Sequence, residues 1–291
     1  MDTLPESTRL FEAQRPRLLR LAYRMLSSVT EAQDVVQDAW LRWQRTDMSE
    51  VQHAPAFLSR IVTRLCLDAM KSARVRRETY IGSWLPDPLP EPDDDLRADN
   101  LTLTLMLALE RLSPLERAAF LLHDVFDMPM DEIAATLDRD VAAVRQLASR
   151  ARRNVQSDKP RYPVARDDGD RIAIAFLDAT RTGDVGTLRT ILADGVRIVS
   201  DGGGKVLAFP NAIVGLDRAL RLYRGLFRKY GDAESIVRQV WIDGLPGYIS
   251  LYNGTPQTTS FEIENGRIVA IYKTRNPDKL AHISVTGDAL H

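Results

Sequence analysis

From Thr8 to about Arg77 apolar residues recur three and four positions apart, the spacing of one face of an α-helix. Thr30-Glu31-Ala32-Gln33 fits a capping box, and behind it Ala32, Val35, Val36, Ala39, Trp40 and Trp43 form an apolar stripe that predicts a core-facing helix. Pro55 suits a first helical turn. Leu58, Ile61, Val62, Leu65 and Ala69 then form a second stripe, with Arg60, Arg64 and Lys71 on the opposite face. Residues 1–80 therefore read as an all-helical domain. Trp84-Leu85-Pro86-Asp87-Pro88, followed by Pro90 and Pro92, ends the pattern, because proline removes amide donors and restricts its neighbours. Residues 81–100 read as a linker, extended and acidic.

Helical spacing returns over residues 101–158, with Leu101, Leu105, Ala108, Leu109 and Leu112 on one face. Ser113-Pro114-Leu115-Glu116 is a capping box with proline at the first helical position. Beyond Pro129, Met130 to Leu137 predicts a short helix, Asp138-Arg139 a tight turn, and Asp140 the cap of a helix starting at Val141. Asp138 sits where a turn favours glycine, and aspartate tolerates the left-handed conformation at some cost. Two helices around a tight turn predict a helix-turn-helix. Over residues 167–291 the texture changes again. Helical stretches (Asp170 to Arg181, Val185 to Ala193, Leu216 to Tyr230) mix with β-branched runs and a Val196 to Ser200 strand. Asn253-Gly254 and Asn265-Gly266 signal tight hairpins, since both central turn positions need positive φ. An α+β domain with an antiparallel sheet follows.

A length of 291 residues, 44% of them hydrophobic, supports two or three cores. Formal charge is −1, from 39 basic and 40 acidic side chains, so nucleic-acid binding has to come from local segregation of charge. Residues 141–155 hold Arg145, Arg150, Arg152 and Arg153 with no acid, and residues 56–78 hold six basic side chains against Asp68 and Glu78. Asp87, Glu91, Asp93, Asp94, Asp95 and Asp99 crowd the linker with Arg97 as its only base. Cys66 is the only cysteine, which excludes a disulfide framework or a cysteine zinc site and predicts a small buried apolar residue. No apolar run approaches the roughly 20 residues of a membrane span, and Met1 to Ser7 is acidic. The expectation is a cytoplasmic protein without membrane contact.

In the helix from Val141, the residues Val141, Val144, Leu147, Ala148, Ala151 and Val155 take the core side. Arg145, Gln146 and Ser149 face outward to read base edges in a major groove, with Arg150 and Arg153 for phosphates. Glu31, Asp34 and Asp38 share a helical face with Gln37 and Leu41 beside them, a mixed acidic and polar docking surface. Arg60, Arg64, Lys71 and Arg74 are spaced to track the phosphates of an opened strand. Asp68 among them either hydrogen-bonds a base or pairs with Arg64 one turn away.

These segments carry a resemblance. Asp34 to Trp43 resembles the polymerase-binding segment of extracytoplasmic-function (group 4) RNA polymerase sigma factors, and Phe57 to Arg77 the adjoining segment that melts and reads the −10 promoter element. Residues 101–155 resemble the −35-binding domain of that family. The resemblance implies two all-α sigma domains, core RNA polymerase as partner through the coiled coil of its β′ subunit, and promoter DNA as target. It also implies that the acidic linker threads the channel later occupied by RNA, although a solvated tether suits its composition equally. Asp127 stands where the family often has glycine. The C-terminal domain resembles the SnoaL-like fold, a cystatin-like cone of helices and sheet. Asp201-Gly202-Gly203-Gly204-Lys205, Asn276-Pro277-Asp278-Lys279-Leu280 and Trp84-Leu85-Pro86-Asp87-Pro88 match motifs of the sigma factor subgroup carrying such an extension, the SigJ type. In that subgroup the extension is a built-in regulator. The resemblance therefore gives Trp84, Pro86, Asp201, Gly203, Lys205, Asn276, Asp278 and Lys279 a regulatory role, with the C-terminal domain contacting the sigma domains or the linker.

The glycine run lacks the spacing of a phosphate-binding loop and reads as a tight turn after a strand. His282 and His291 are the only histidines of this domain and no carboxylate pair stands out. The chain is expected to be no enzyme, with no catalytic residues, metal or cofactor. Phe209, Tyr223, Trp241, Tyr248, Tyr252 and Tyr272 either line a ligand cavity or, more ordinarily, pack a core. A different reading makes the chain a DNA-anchored SnoaL-like enzyme or a small-molecule-sensing transcription regulator.

Overall fold

The computed structural model describes residues 5–90, 102–156, 164–231 and 234–283, with the side chains of residues 50 and 73–78 left aside. The chain forms two compact units, one from Met1–Glu78 with Leu105–Asp158, the other from Thr79–Thr104 with Lys159–His291.

The first unit is helical. Helices α1 (Glu6–Leu26), α2 (Val29–Gln44) and α3 (Ala54–Glu78) pack around Leu21, Met25, Val36, Trp43, Leu58 and Val62, all nearly or fully removed from solvent. The Trp43 indole donates to the Ser7 carbonyl at 2.8 Å. Trp40, expected in the core stripe, is only half-buried and packs on Phe11 with ring centroids 4.8 Å apart. Helix α2 starts earlier than its Thr30 signal suggests. Ser28 is the cap, its hydroxyl accepting from the Glu31 amide, because Ser28 has extended dihedrals directly after the left-handed Ser27 that closes α1. Cys66 is fully buried, and burial pushes its thiol pKa up, as expected of an inert apolar residue.

Helices α4 (Leu103–Leu109), α5 (Pro114–Phe120), α6 (Met130–Leu137) and α7 (Val141–Gln156) follow. The Ser113/Glu116 capping box forms in full, and a π-helical turn over Leu121–Val125 extends α5. Asp138 closes α6 at φ 53°, ψ 55°, and Asp127 also has positive φ. Asp140 caps α7 by accepting from the Ala143 amide at 2.7 Å. Within this unit Arg117 joins α5 to the end of α1. Only 1% exposed, it donates to the carbonyls of Leu109 (3.0 Å) and Met25 (2.8 Å) and to Glu110 Oε1 (2.8 Å), while Ser27 Oγ donates to the same carboxylate oxygen at 2.5 Å.

The second unit holds α8 (Arg166–Thr182), α9 (Val185–Ile191), β1 (Leu192–Asp201), β2 (Ile213–Val214), α10 (Leu216–Tyr230), β3 (Glu234–Ile242), β4 (Leu245–Tyr252), β5 (Thr255–Glu264), β6 (Arg267–Thr274) and α11 (Pro277–Leu280). The expected α+β architecture is what the chain builds. The strands form one sheet in the order β2-β1-β6-β5-β4-β3. It is not purely antiparallel: β1 runs parallel to β6, since helix α10 and a three-turn meander intervene before the chain returns beside β1. Strand β1 begins at Leu192, so the helix expected to reach Ala193 stops two residues short, and Leu192 is instead buried in register with Ile268. Both Asn-Gly turns have positive φ at each central residue. A third such turn, Asp243-Gly244, joins β3 to β4. Phe176, Leu188, Val196, Leu220, Phe261 and Ile268 anchor the core between sheet and α8 to α10. Leu280 and Ile283 join Val237, Val240, Ile242 and Ile249 in a separate cluster.

Candidate nucleic-acid interface and linker cradle

Helix α7 buries Val144, Leu147, Ala148, Ala151 and Val155, with Val141 half-buried. The opposite face carries Arg145, Gln146, Ser149 and Arg153, all exposed. Arg150 is exposed but not idle: its Nε donates to Glu116 Oε1 at 2.8 Å. Burial would raise the Glu116 carboxyl, but hydrogen bonds from Arg150 and Ser113 outweigh it and hold the pKa below its usual range. Arg152 is half-buried and pairs with Asp124 at 2.6 Å. On α2, Asp34, Gln37, Asp38 and Leu41 lie exposed and Glu31 half-buried. Leu41 keeps 43% exposure, an apolar side chain left open beside two carboxylates.

Helix α3 departs from expectation at two positions. Asp68 pairs with Lys71 at 2.8 Å, not with Arg64. Arg64 turns to the helix-turn-helix, donating through Nε to the Thr136 carbonyl (3.2 Å) and through Nη2 to the Ala135 carbonyl (3.3 Å). The long guanidinium reaches the two carbonyls near the C-terminal end of α6, which attract a cation, while the shorter lysine is left to Asp68. Arg60 is half-buried with its Nε buried and lacking a hydrogen-bond partner among the described residues. The Arg74 side chain falls outside the described residues.

The motifs around Trp84, Asp201 and Asn276, distant in sequence, meet in the second unit. Strand β1 ends at Asp201, completely buried. Its Oδ1 accepts from Tyr80 Oη (2.5 Å) and the Gly203 amide (3.1 Å), its Oδ2 from the Leu85 amide (2.8 Å) and Lys279 Nζ (2.8 Å). Lys279 also donates to the Leu85 carbonyl and lies 4.1 Å from the Trp84 ring centroid, a cation–π contact. Asn276 caps α11 and donates to Tyr80 Oη at 2.9 Å. Burial, with the bond to Asp201, pushes the Tyr80 phenol pKa up, so it stays a donor. Lys205 and Asp278 clasp each other across the two motifs at 2.6 Å. The glycine run is the expected tight turn: Gly203 has φ +61°, and a Cβ there would fall 2.3 Å from Asn276 Nδ2.

The segment Leu85 to Pro88 is therefore not a solvated tether. Leu85, Pro86, Asp87 and Pro88 are buried, and Trp84 half-buried. His282 Nε2 donates to the Pro88 carbonyl at 2.7 Å. Leu89 donates to Asp243 Oδ2 (3.1 Å) and accepts from the Asp243 amide (3.1 Å), and Pro90 bridges Ile242. The acidic run from Glu91 to Asp99 lies outside the described residues. Tyr80, Asp243 and His282 were not anticipated as partners. Asp243 had a signal in the Asp-Gly turn, whereas Tyr80 and His282 had none. Of the six aromatic residues weighed for a cavity, Phe209, Tyr223, Tyr248 and Tyr252 line one and Trp241 and Tyr272 do not. No helix among the described residues is long and apolar enough to cross a membrane.

Known proteins resemble both parts of this geometry. Residues 10–76 match the family described as Sigma-70 region 2, and residues 102–155 that described as Sigma-70, region 4. The chain is 35% identical over 286 residues to the ECF RNA polymerase sigma factor SigJ of Mycobacterium tuberculosis, covering 92% of this chain and 91% of that one. It is 30% identical over 278 residues to the probable ECF RNA polymerase sigma factor SigI of the same species, covering 93% of each. The crystal structure of M. tuberculosis SigJ superposes with a TM-score of 0.75 at 32% identity, over 93% of this chain and 97% of that one. With relatives at this identity matched along nearly their whole length, and with both helical segments in order ahead of the sheet domain, the chain belongs to the extracytoplasmic-function sigma factors of RNA polymerase.

Proposed function

We propose that this sigma factor docks on the β′ coiled coil of core polymerase through Asp34, Gln37, Asp38 and Leu41 of α2, with Glu31 at the edge. Arg145, Gln146 and Ser149 read the −35 element while Arg150 and Arg153 hold its phosphates. Arg60, Arg64, Lys71 and Arg74, with Asp68, serve the −10 element, for which Arg64 has to leave the carbonyls of α6. The second unit sets activity from within the chain by gripping the segment that joins the two sigma regions. One observation carries this reading: the buried Asp201 carboxylate binds Tyr80, Leu85 and Lys279 at once, so residues 80–90, which leave the first DNA-binding region toward the second, are held by the C-terminal domain.

The test is transcription in vitro with core polymerase. Full-length protein and Lys279→Ala are compared on promoters recovered by transcript mapping after overexpression. Lys279→Ala should change transcript yield while circular dichroism stays that of a folded chain. Equal yield from both proteins would remove the regulatory part, and the lack of any promoter-specific transcript from either would remove the rest.

Base reading and phosphate holding separate in a second assay. Arg145→Ala should cost about 1–3 kcal/mol and relax specificity at a single −35 base pair. Arg153→Ala should weaken all promoters alike and lower the salt dependence by roughly one counterion. Binding titrations over a panel of point-substituted promoters check both, and equal, sequence-independent losses would show that the reading face is misassigned.

A further inference from the structure

Helix α10 turns Leu216, Ala219, Leu220 and Tyr223 toward the core of the second unit. Its other face is basic. Arg218, Arg221, Arg224 and Arg228 are all exposed, and at 1.5 Å per residue they run about 15 Å along one side of the helix. None of the four has a hydrogen-bond or ion-pair partner among the described residues. The one acid of the helix, Asp217, is taken by Arg189 of α9 at 3.7 Å. Gly225 stands among the arginines, and a Cβ there would meet nothing within 4 Å, so a partner can approach the helix backbone closely. Like charges three and four positions apart destabilise a helix. Elsewhere the chain avoids this: Arg15, Lys71 and Arg171, exposed on their helices, each pair with an acid three residues earlier. On α10 the spacing is filled by arginine alone, at a cost that an anionic surface laid along the helix offsets.

We propose that this face of α10 is a further nucleic-acid contact of the chain, one that grips the phosphates of double-stranded DNA without reading its sequence. Guanidinium groups match phosphate oxygens with a fixed fork of donors. B-DNA carries one charge per about 1.7 Å of its axis, so a row of arginines about 15 Å long meets several phosphates whatever the bases between them. The face offers no ring on which an unpaired base could stack, as single-strand binding requires. Phe227, the exposed aromatic side chain of the helix, leans on Gly183 instead. No large apolar side chain stands among the arginines to enter a bilayer. The inference rests on the chain reaching promoter DNA as a sigma factor and not on the linker grip.

The test is binding of the full-length protein, assembled with core polymerase, to a double-stranded promoter fragment over a series of salt concentrations. Arg221→Gln/Arg224→Gln/Arg228→Gln should lower the slope of log affinity against log salt by about two to three and weaken binding at least about tenfold at low salt. The loss factor should be the same on a fragment with a scrambled −35 element, since phosphates carry no base information. Arg221→Lys/Arg224→Lys/Arg228→Lys should keep most of the slope, because the charge is retained. Affinity for core polymerase and the circular dichroism should match wild type, all three side chains being exposed. Arg145→Ala, run beside these variants, reports on base reading by α7 separately. An unchanged slope in the glutamine variant, a loss confined to core binding, or a loss of binding to phosphatidylserine vesicles with DNA affinity unchanged would each overturn the proposal. Tighter DNA binding by the glutamine variant, the result if the acidic run Glu91 to Asp99 covered this face, would overturn it as well.

Discussion

Asp201→Ala is expected to release the segment from Tyr80 to Pro90 and to destabilise the second unit by roughly 3–5 kcal/mol, the usual cost of removing one partner from a buried ion pair. Three losses coincide. Lys279, with its side chain 9% exposed, keeps its charge but loses the carboxylate. The buried Leu85 amide loses its acceptor, as does the Tyr80 hydroxyl. Retention of the Lys279 contact with the Leu85 carbonyl is too weak to compensate, because one neutral acceptor cannot replace a charge-assisted pair. Asp201→Asn should fall between wild type and Ala: the shape survives, but the amide nitrogen cannot accept from the donors that now meet the lost oxygen. Limited proteolysis within residues 81–90, alongside urea unfolding of the full chain, reads both effects. A cleavage rate and midpoint equal to wild type in Asp201→Ala would show that the grip contributes nothing.

Much of this chain was readable because its signals are local. The Ser113/Glu116 box, the Asp140 cap, helix α10 and two hairpins each depend on residues within a few positions of one another. Errors arose where a neighbour in space outranked a neighbour in sequence. Arg64 and Asp68 have ideal spacing for a helical pair, yet Arg64 finds backbone carbonyls on α6 and Asp68 settles for Lys71. The parallel pairing of β1 with β6 is a long-range contact that no turn announces. Three glycines are a turn signal by themselves, but the need for glycine at 203 comes from Asn276, seventy-three residues on by sequence number. The linker shows the same effect most strongly. Over its described residues 81–90 no helix forms, as the prolines require, but composition reads only as extended and solvated, whereas the docked conformation of Leu85 to Leu89 is set by Asp201, Asp243, Lys279 and His282 from another part of the chain.

The aromatic-lined cavity of the second unit and the linker grip occupy consecutive residues. Ser200 lines the one and Asp201 centres the other, and Arg275 lines the one next to Asn276 of the other. The Arg275 and Asn276 amides both donate to the Asp201 carbonyl, at 2.7 and 3.0 Å. The ends of β1 and β6 are thereby fixed together, so the polar wall of the cavity and the Asp201 carboxylate are positioned by one short stretch of backbone. Proline at 277 and glycine at 202 stiffen and tighten this stretch from either side; a Cβ at Gly202 would fall 2.4 Å from the Val206 carbonyl oxygen.

Arg117→Met should be the most damaging single change in the first unit, at roughly 3–5 kcal/mol. Methionine matches the arginine stem in bulk, so little cavity forms, and the cost comes from polar groups left behind. The Met25 and Leu109 carbonyls lose their donor, and the Glu110 carboxylate, with its side chain 13% exposed, loses its ion pair. Surface charge gives the contrast. Lys71→Ala removes an ion pair whose partners keep 77% and 70% exposure, and such solvated pairs contribute well under about 1 kcal/mol. Arg117→Lys should recover only part of the loss, since an ammonium cannot span three acceptors with the fixed fork of a guanidinium. The double variant Arg117→Met/Glu110→Leu should be less destabilised than the sum of its single changes, because each single change removes the same Arg117–Glu110 contact. Guanidinium unfolding of the full chain, followed by a probe specific to the helical unit, measures these four variants together with the single change Glu110→Leu that the comparison requires. If Arg117→Met shifts stability no more than Lys71→Ala does, the buried cluster at the α1/α5 junction does not hold the two sigma regions together, and their packing has to rest on the apolar contacts alone.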